Sequence, residues 1–117
     1  MRDHTRLRAF ELADQLAVDV YLATQSFPRE EQFGLTNQMR RAAVSVASNI
    51  VEGCARSSEK DYLRFLDIAY GSVREVEYQI SLAVKLGFFS EDDGHQLAAV
   101  AEEASKVLNG LIRSIRK

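Results

Sequence analysis

The residues best suited to chemistry lie between Arg41 and Glu52. Arg41, Ser45, Ser48, Asn49 and Glu52 recur three and four apart, so on a helix they form one polar seam. A guanidinium, hydroxyls, an amide and a carboxylate in line invite an acid–base reading. Their spread argues against it. Arg41 and Glu52 stand eleven residues apart, about 16 Å along a straight helix. They cannot pair directly, and each is expected to meet a partner on another helix or another subunit. The seam therefore reads as polar packing in an assembly rather than as catalysis.

Other reactive side chains offer less. His4 lies near the chain start and His95 in the first turn of a later helix, neither with acidic residues at metal-ligand spacing on both sides. Glu75 and Glu77 point in different directions on a helix and make no acid/base pair. Cys54 is the sole cysteine, which excludes an intrachain disulfide and a four-cysteine zinc site. Arg56 beside it would favour a thiolate, but a small, half-buried side chain at a helix end is the preferred reading. No phosphate-cradling glycine loop or nucleophile elbow occurs. No catalytic residue, cofactor or metal site is assigned, and no enzymatic activity is expected.

Four helical segments must position these groups. The first runs from about Thr5 to Ser26, with Leu7, Phe10, Ala13, Ala17, Val20, Tyr21 and Thr24 as its inward stripe. Phe27-Pro28 ends it, because the residue before proline leaves the α region. A loop follows, from Arg29 to Gly34. The second spans about Leu35 to Ala55 and buries Met39, Ala42, Ala43, Val46 and Ile50. Gly53 is expected as its left-handed terminal residue.

The third segment starts at a capping signature, with the Ser58 hydroxyl on a backbone N–H and the Asp61 carboxylate reaching back. Tyr62, Leu66, Ala69, Val73, Val76, Ile80 and Ala83 alternate four and three apart, the spacing of bundle packing. Leu86-Gly87-Phe88 supplies its C-terminal glycine and a hydrophobic contact. The fourth opens on Ser90, followed by Glu91, Asp92 and Asp93 at the positive end of the helix dipole. Leu97, Ala101, Ala104, Leu108, Leu111 and Ile115 form its stripe. Gly94 and Gly110 each weaken it by about 1 kcal/mol relative to alanine. Short connections between long helices predict an all-α, antiparallel up-down-up-down four-helix bundle, one domain over residues 1–117.

Composition agrees with a globular chain of 117 residues, 46% apolar and 27% charged, with one proline. There is no basic-then-apolar leader and no uninterrupted apolar run near 18 residues, so a cytoplasmic protein with no membrane partner is expected. The third helix carries more apolar residues than one bundle face needs: Leu63, Phe65, Ile68, Tyr70, Leu82, Val84 and Leu86 lie outside its stripe. Val44, Ala47 and Val51 do the same on the second. A generously packed core is one account. A second buried face, hence a homo-oligomer, is the sharper one.

These segments resemble the four-helix-bundle family of bacterial intervening-sequence proteins, small proteins first noted in open frames within large-subunit ribosomal RNA genes. The resemblance rests on Phe27-Pro28, Phe33-Gly34-Leu35-Thr36, the run Gln38 to Gly53, Arg56-Ser57, Arg64-Phe65-Leu66, Ile68-Ala69, Gly71-Ser72, Glu75 with Glu77, and Leu86-Gly87. Many members carry proline where this chain has Ala47, so a kink there is not carried over. The resemblance implies a helical bundle and a homopentamer with a central channel. A related branch, the accessory variability proteins of diversity-generating retroelements, binds a reverse transcriptase and nucleic acid. No catalytic residues come with it.

An up-down bundle also sorts the charge. Net charge is only −2, but the chain start, the second-to-third connection and the chain end share one pole. Over residues 1–8, 52–64 and 113–117, that pole carries nine basic residues against four acidic ones. The nine are Arg2, Arg6, Arg8, Arg56, Lys60, Arg64, Arg113, Arg116 and Lys117. Such a patch suits the phosphates of RNA or DNA. No interleaved aromatic platform accompanies it, so weak sequence preference is expected. Ordinary helix-dipole and solubility charge is the competing account. The expected role is a non-enzymatic, homo-oligomeric nucleic-acid or ribonucleoprotein accessory; a protein–protein scaffold is the alternative.

Overall fold

The computed structural model describes residues 2–117. Asp3 opens the chain by capping a 3₁₀ turn, His4–Arg6: its carboxylate accepts from the Thr5 N–H at 3.0 Å and the Thr5 hydroxyl at 2.6 Å. Leu7 is extended, so the first helix is shorter than its periodicity suggests. Helix α1 is Arg8–Ala23, and a 3₁₀ turn, Thr24–Ser26, follows it. Helices α2, Leu35–Cys54, α3, Glu59–Lys85, and α4, Glu91–Arg116, complete the bundle. The four pack in a ring in which α1 touches α2 and α4, and α3 touches the same two. The molecule measures 43 × 23 × 19 Å.

Every stripe residue expected on α2 and α3 is buried. On α1 the inward residues are Ala9, Ala13, Leu16 and Val20, whereas Tyr21 is 45% exposed. The Arg40 guanidinium of α2 lies 4.7 Å over the Tyr21 ring and explains why that aromatic tolerates the surface. Near the end of α4, Ile112 takes the core place, and Leu111 and Ile115 are only half-buried.

The ends follow local chemistry. Ser58 and Ser90 accept from the Asp61 and Asp93 N–H groups at 3.1 and 3.0 Å. The Asp61 carboxylate does not complete the expected box; it faces Arg64 instead. Gly34 has no side chain to cap α2, and Glu31 substitutes, accepting from the Leu35 N–H at 2.9 Å. Gly87 adopts φ 78°, with Phe88 N–H on Ala83 C=O and Gly87 N–H on Val84 C=O. That is the Schellman arrangement. Phe27, Phe88 and Phe89 then join the two loops at this end, with ring centroids 5.4 and 4.7 Å from Phe27.

Gly53 does not end α2 in a left-handed turn. It is helical and buried, and a Cβ there would stand 3.1 Å from Phe65 Cβ and 3.2 Å from Tyr62 Cδ1. Its role is the close approach of α2 to α3. Gly94 has the same role on α4, where a Cβ would meet Val84 Cγ2. Helix α2 runs unbroken through Ala47.

Candidate nucleic-acid interface

The α2–α3 connection gathers the basic pole. The Arg56 guanidinium lies 4.7 Å over the Phe65 ring and Arg64 lies 4.5 Å over the same ring. Two cations thus share one aromatic support one turn into α3. Each also has a carboxylate: Arg56 Nη2 is 2.9 Å from Glu52 Oε2, and Arg64 Nε is 3.9 Å from Asp61 Oδ1. Lys60 is exposed in the first turn of α3. Arg2 joins them from the chain start. Its N–H donates to Cys54 C=O at 3.1 Å, its Nη1 to Arg56 C=O at 3.3 Å, and its guanidinium lies 4.0 Å over the Tyr62 ring.

The other basic residues come from other elements. Arg6 is exposed on the first 3₁₀ turn. Arg8 points along the α4 flank, 4.0 Å from Glu103. Arg116 donates to Asp67 Oδ2 at 2.6 Å. Asp67 lies eight residues into α3, about 12 Å from its first residue. The Arg116 guanidinium is therefore held one turn of α3 beyond Arg64, and Arg113 and Lys117 are exposed near the end of α4. These ion pairs are exposed and worth about 0–1 kcal/mol each, so phosphate oxygens can replace the carboxylates at low cost.

Sequence reasoning missed the aromatic supports. Phe65 and Tyr62 were legible only as apolar helix residues, because the register that brings arginines over them is set between helices. Their faces are covered by the guanidiniums, so they offer no free platform to a base.

The polar seam of α2 behaves as packing along half its length. Ser45 Oγ and Ser72 Oγ on α3 are 2.9 Å apart, and Asn49 Nδ2 donates to Ser45 C=O at 2.8 Å and Ser45 Oγ at 2.9 Å. Ser48 and Arg41 are exposed, with no hydrogen-bond partner among the described residues. Glu52 corrects the expectation of a distant partner: it pairs with Arg56, four residues on. Gln79, 3% exposed at the same α2–α3 seam, donates to Glu75 Oε2 at 3.2 Å. The outer surface keeps Val44, Ile68 and Leu86 about half-exposed, whereas Leu63, Tyr70, Leu82 and Val84 pack against the core.

Titratable groups elsewhere are structural. Cys54 is buried rather than half-buried, and burial raises its thiol above the ordinary range despite the Tyr62 hydroxyl beside it. Burial likewise pushes the Tyr62 phenol up to about 12. Glu77 turns toward α4, away from Glu75. Burial raises its carboxyl, with Glu102 adding to the effect and Arg74, 3.3 Å away, opposing it. His4 sits edge-on to Phe10 at 4.7 Å. His95 is exposed in an acidic groove with Glu77, Glu91 and Asp92. Among the described residues, no three His, Cys, Asp or Glu side chains are placed to hold a metal ion. No described helix is long and apolar enough to cross a membrane.

Four antiparallel helices, a polar α2–α3 seam and arginines collected at one end define a class of small helical-bundle proteins. Within that class, the chain belongs to the 23S rRNA-intervening sequence protein family, which it matches over residues 5–110. A crystal structure of a protein of unknown function from the S23 ribosomal protein family, from Bacteroides thetaiotaomicron VPI-5482, shares the fold. The TM-score is 0.80 at 21% identity, over 89% of this chain and 97% of that one. No curated protein matches the chain.

Proposed function

We propose that this protein is a non-enzymatic, homo-oligomeric accessory of RNA, DNA or a ribonucleoprotein, and that it contacts phosphates through the α2–α3 pole. The observation that carries this reading is the pair Arg56 and Arg64 held on opposite sides of the connection by one ring, Phe65. Cations fixed this way lose less side-chain freedom on meeting an anion than free arginines would. Their carboxylate partners are exposed and exchangeable. Membership of a family named for ribosomal RNA supports the choice of nucleic acid over other polyanions.

Assembly with copies of itself, as a pentamer in the resemblance, would repeat the pole around a ring and multiply weak phosphate contacts. The half-exposed Val44 and Ile68 beside the small residues of the α2–α3 face support such an assembly. A protein partner such as a reverse transcriptase is compatible with the same arrangement, and a scaffold with no nucleic-acid role is the competing reading. Native mass spectrometry and RNA and DNA gel shifts at low salt decide among them. An oligomer that shifts RNA or DNA supports the proposal. An oligomer that shifts neither favours the scaffold, and a monomer at micromolar concentration removes the assembly.

A further inference from the structure

The basic residues of the pole differ in what already holds them. Arg56, Arg64, Arg8 and Arg116 face carboxylates. Among the described residues, the Arg2 guanidinium faces neutral groups, the Tyr62 ring at 4.0 Å and the Arg56 carbonyl at 3.3 Å. Arg2 is also the residue that fastens the start of the chain across the end of α2. Its N–H satisfies the Cys54 carbonyl, one of those that a helix C-terminus leaves without an intrahelical partner. Beneath this strap lie Tyr62, 4% exposed, and Cys54, 1% exposed.

We propose that residues 2–7 are a latch that a phosphate-rich polyanion opens: phosphate oxygens draw the Arg2 guanidinium from Tyr62 and the Arg56 carbonyl, and Cys54 becomes accessible. The proposal rests on the reading of the α2–α3 pole as a phosphate site and adds a conformational response to it. The selectivity for Arg2 follows from its partners. A guanidinium is drawn more strongly to an anionic phosphate oxygen than to a neutral carbonyl or ring, because the two full charges attract directly, so Arg2 gains by the exchange. Arg56 and Arg64 must instead give up carboxylates. Because Arg2 bonds to the Arg56 backbone, a phosphate held at Arg56 and Arg64 is within a side chain's reach of it. With the Arg2 guanidinium drawn away, the strap loses its ring contact and its guanidinium bond together and keeps the Arg2 N–H bond to Cys54, while Leu7 anchors its other end against the core.

Cys54 is the only cysteine, so alkylation reports the latch directly. The full chain is labelled with iodoacetamide, a neutral reagent that bound RNA does not repel, with and without a fluorescent single-stranded RNA at low salt. Anisotropy of the RNA is read in the same samples, and circular dichroism verifies the fold of each variant. Arg2→Ala is expected to label roughly tenfold faster without RNA, the factor given by loss of one or two modest contacts. RNA is expected to accelerate the wild type toward that rate and leave Arg2→Ala unchanged; Arg2→Lys should retain part of the protection. Labelling of folded Arg2→Ala at the wild-type rate overturns the latch. RNA that binds without accelerating the wild type also overturns it, while the phosphate reading stands. RNA that does not bind overturns both.

Discussion

Ser45 on α2 and Ser72 on α3 meet through their hydroxyls at 2.9 Å, and Asn49 donates to the same Ser45 oxygen. The bond fits the register in which the buried stripes of the two helices pack. The same register places Gly53 of α2 against Tyr62 and Phe65, and so fixes where the α2–α3 connection presents its arginines.

Removal of the shared hydroxyl tests that coupling. Ser45→Ala deprives both Ser72 and Asn49 of a half-buried partner and is expected to cost about 1 kcal/mol. In a double-mutant cycle with Ser72→Ala, the two losses should be less than additive by about 0.5 kcal/mol or more. Urea denaturation of the four proteins measures this. Additive losses would show that the hydroxyls do not act as a pair.

Two glycines should respond in opposite ways. Gly53→Ala puts a Cβ into Phe65 and Tyr62 and is expected to destabilise by about 1–3 kcal/mol. Gly71→Ala, with no atom within 4 Å of the new Cβ, should stabilise the protomer by up to about 1 kcal/mol through helix propensity. Thermal melts at equal concentration compare them. A loss at Gly71 accompanied by a smaller particle in native mass spectrometry would place that glycine in a contact between copies.

Glu77 gives a pH signature. Burial raises its folded carboxyl above the unfolded value, so the folded state binds the proton more tightly. Its contribution is therefore best when pH lies below the unfolded value, and it declines as pH rises through the raised folded one. Glu77→Gln cannot ionise. It should be more stable than the wild type at neutral pH and nearly equal to it at pH about 4. Urea midpoints at the two pH values test this. A variant less stable at neutral pH would mean that the Arg74 pair outweighs burial.

Much of the fold is legible because helical burial repeats. The seven-residue stripe of α3, from Tyr62 to Ala83, needs only its spacing, and all seven residues are buried. Gly87 is legible from Leu86 and Phe88 beside it, since an abrupt helix stop needs a left-handed residue. Gly53 misleads because a glycine near a helix end suits two purposes, and only the approach of α3 chooses between them. Glu52 misleads because the seam lies within α2, whereas its partner Arg56 stands just beyond the helix end.

Asp67 holds Arg116 one turn along α3 from Arg64. Asp67→Asn should free that guanidinium, change stability by less than about 1 kcal/mol, and strengthen RNA binding at low salt. Anisotropy titration against the wild type checks it. Unchanged affinity would exclude Arg116 from the interface.

The most direct test of phosphate contact at the α2–α3 pole is the salt dependence of RNA binding. Anisotropy of a single-stranded RNA, stepped from about 50 to 200 mM salt, should give a logarithmic affinity that falls linearly with the logarithm of salt. Arg56→Gln with Arg64→Gln, verified as folded, should bind more weakly and flatten the slope by about 1.4, or 0.7 for each lost phosphate contact. A wild-type protein that does not bind at the lowest salt, or a double variant with the wild-type slope, would contradict the account.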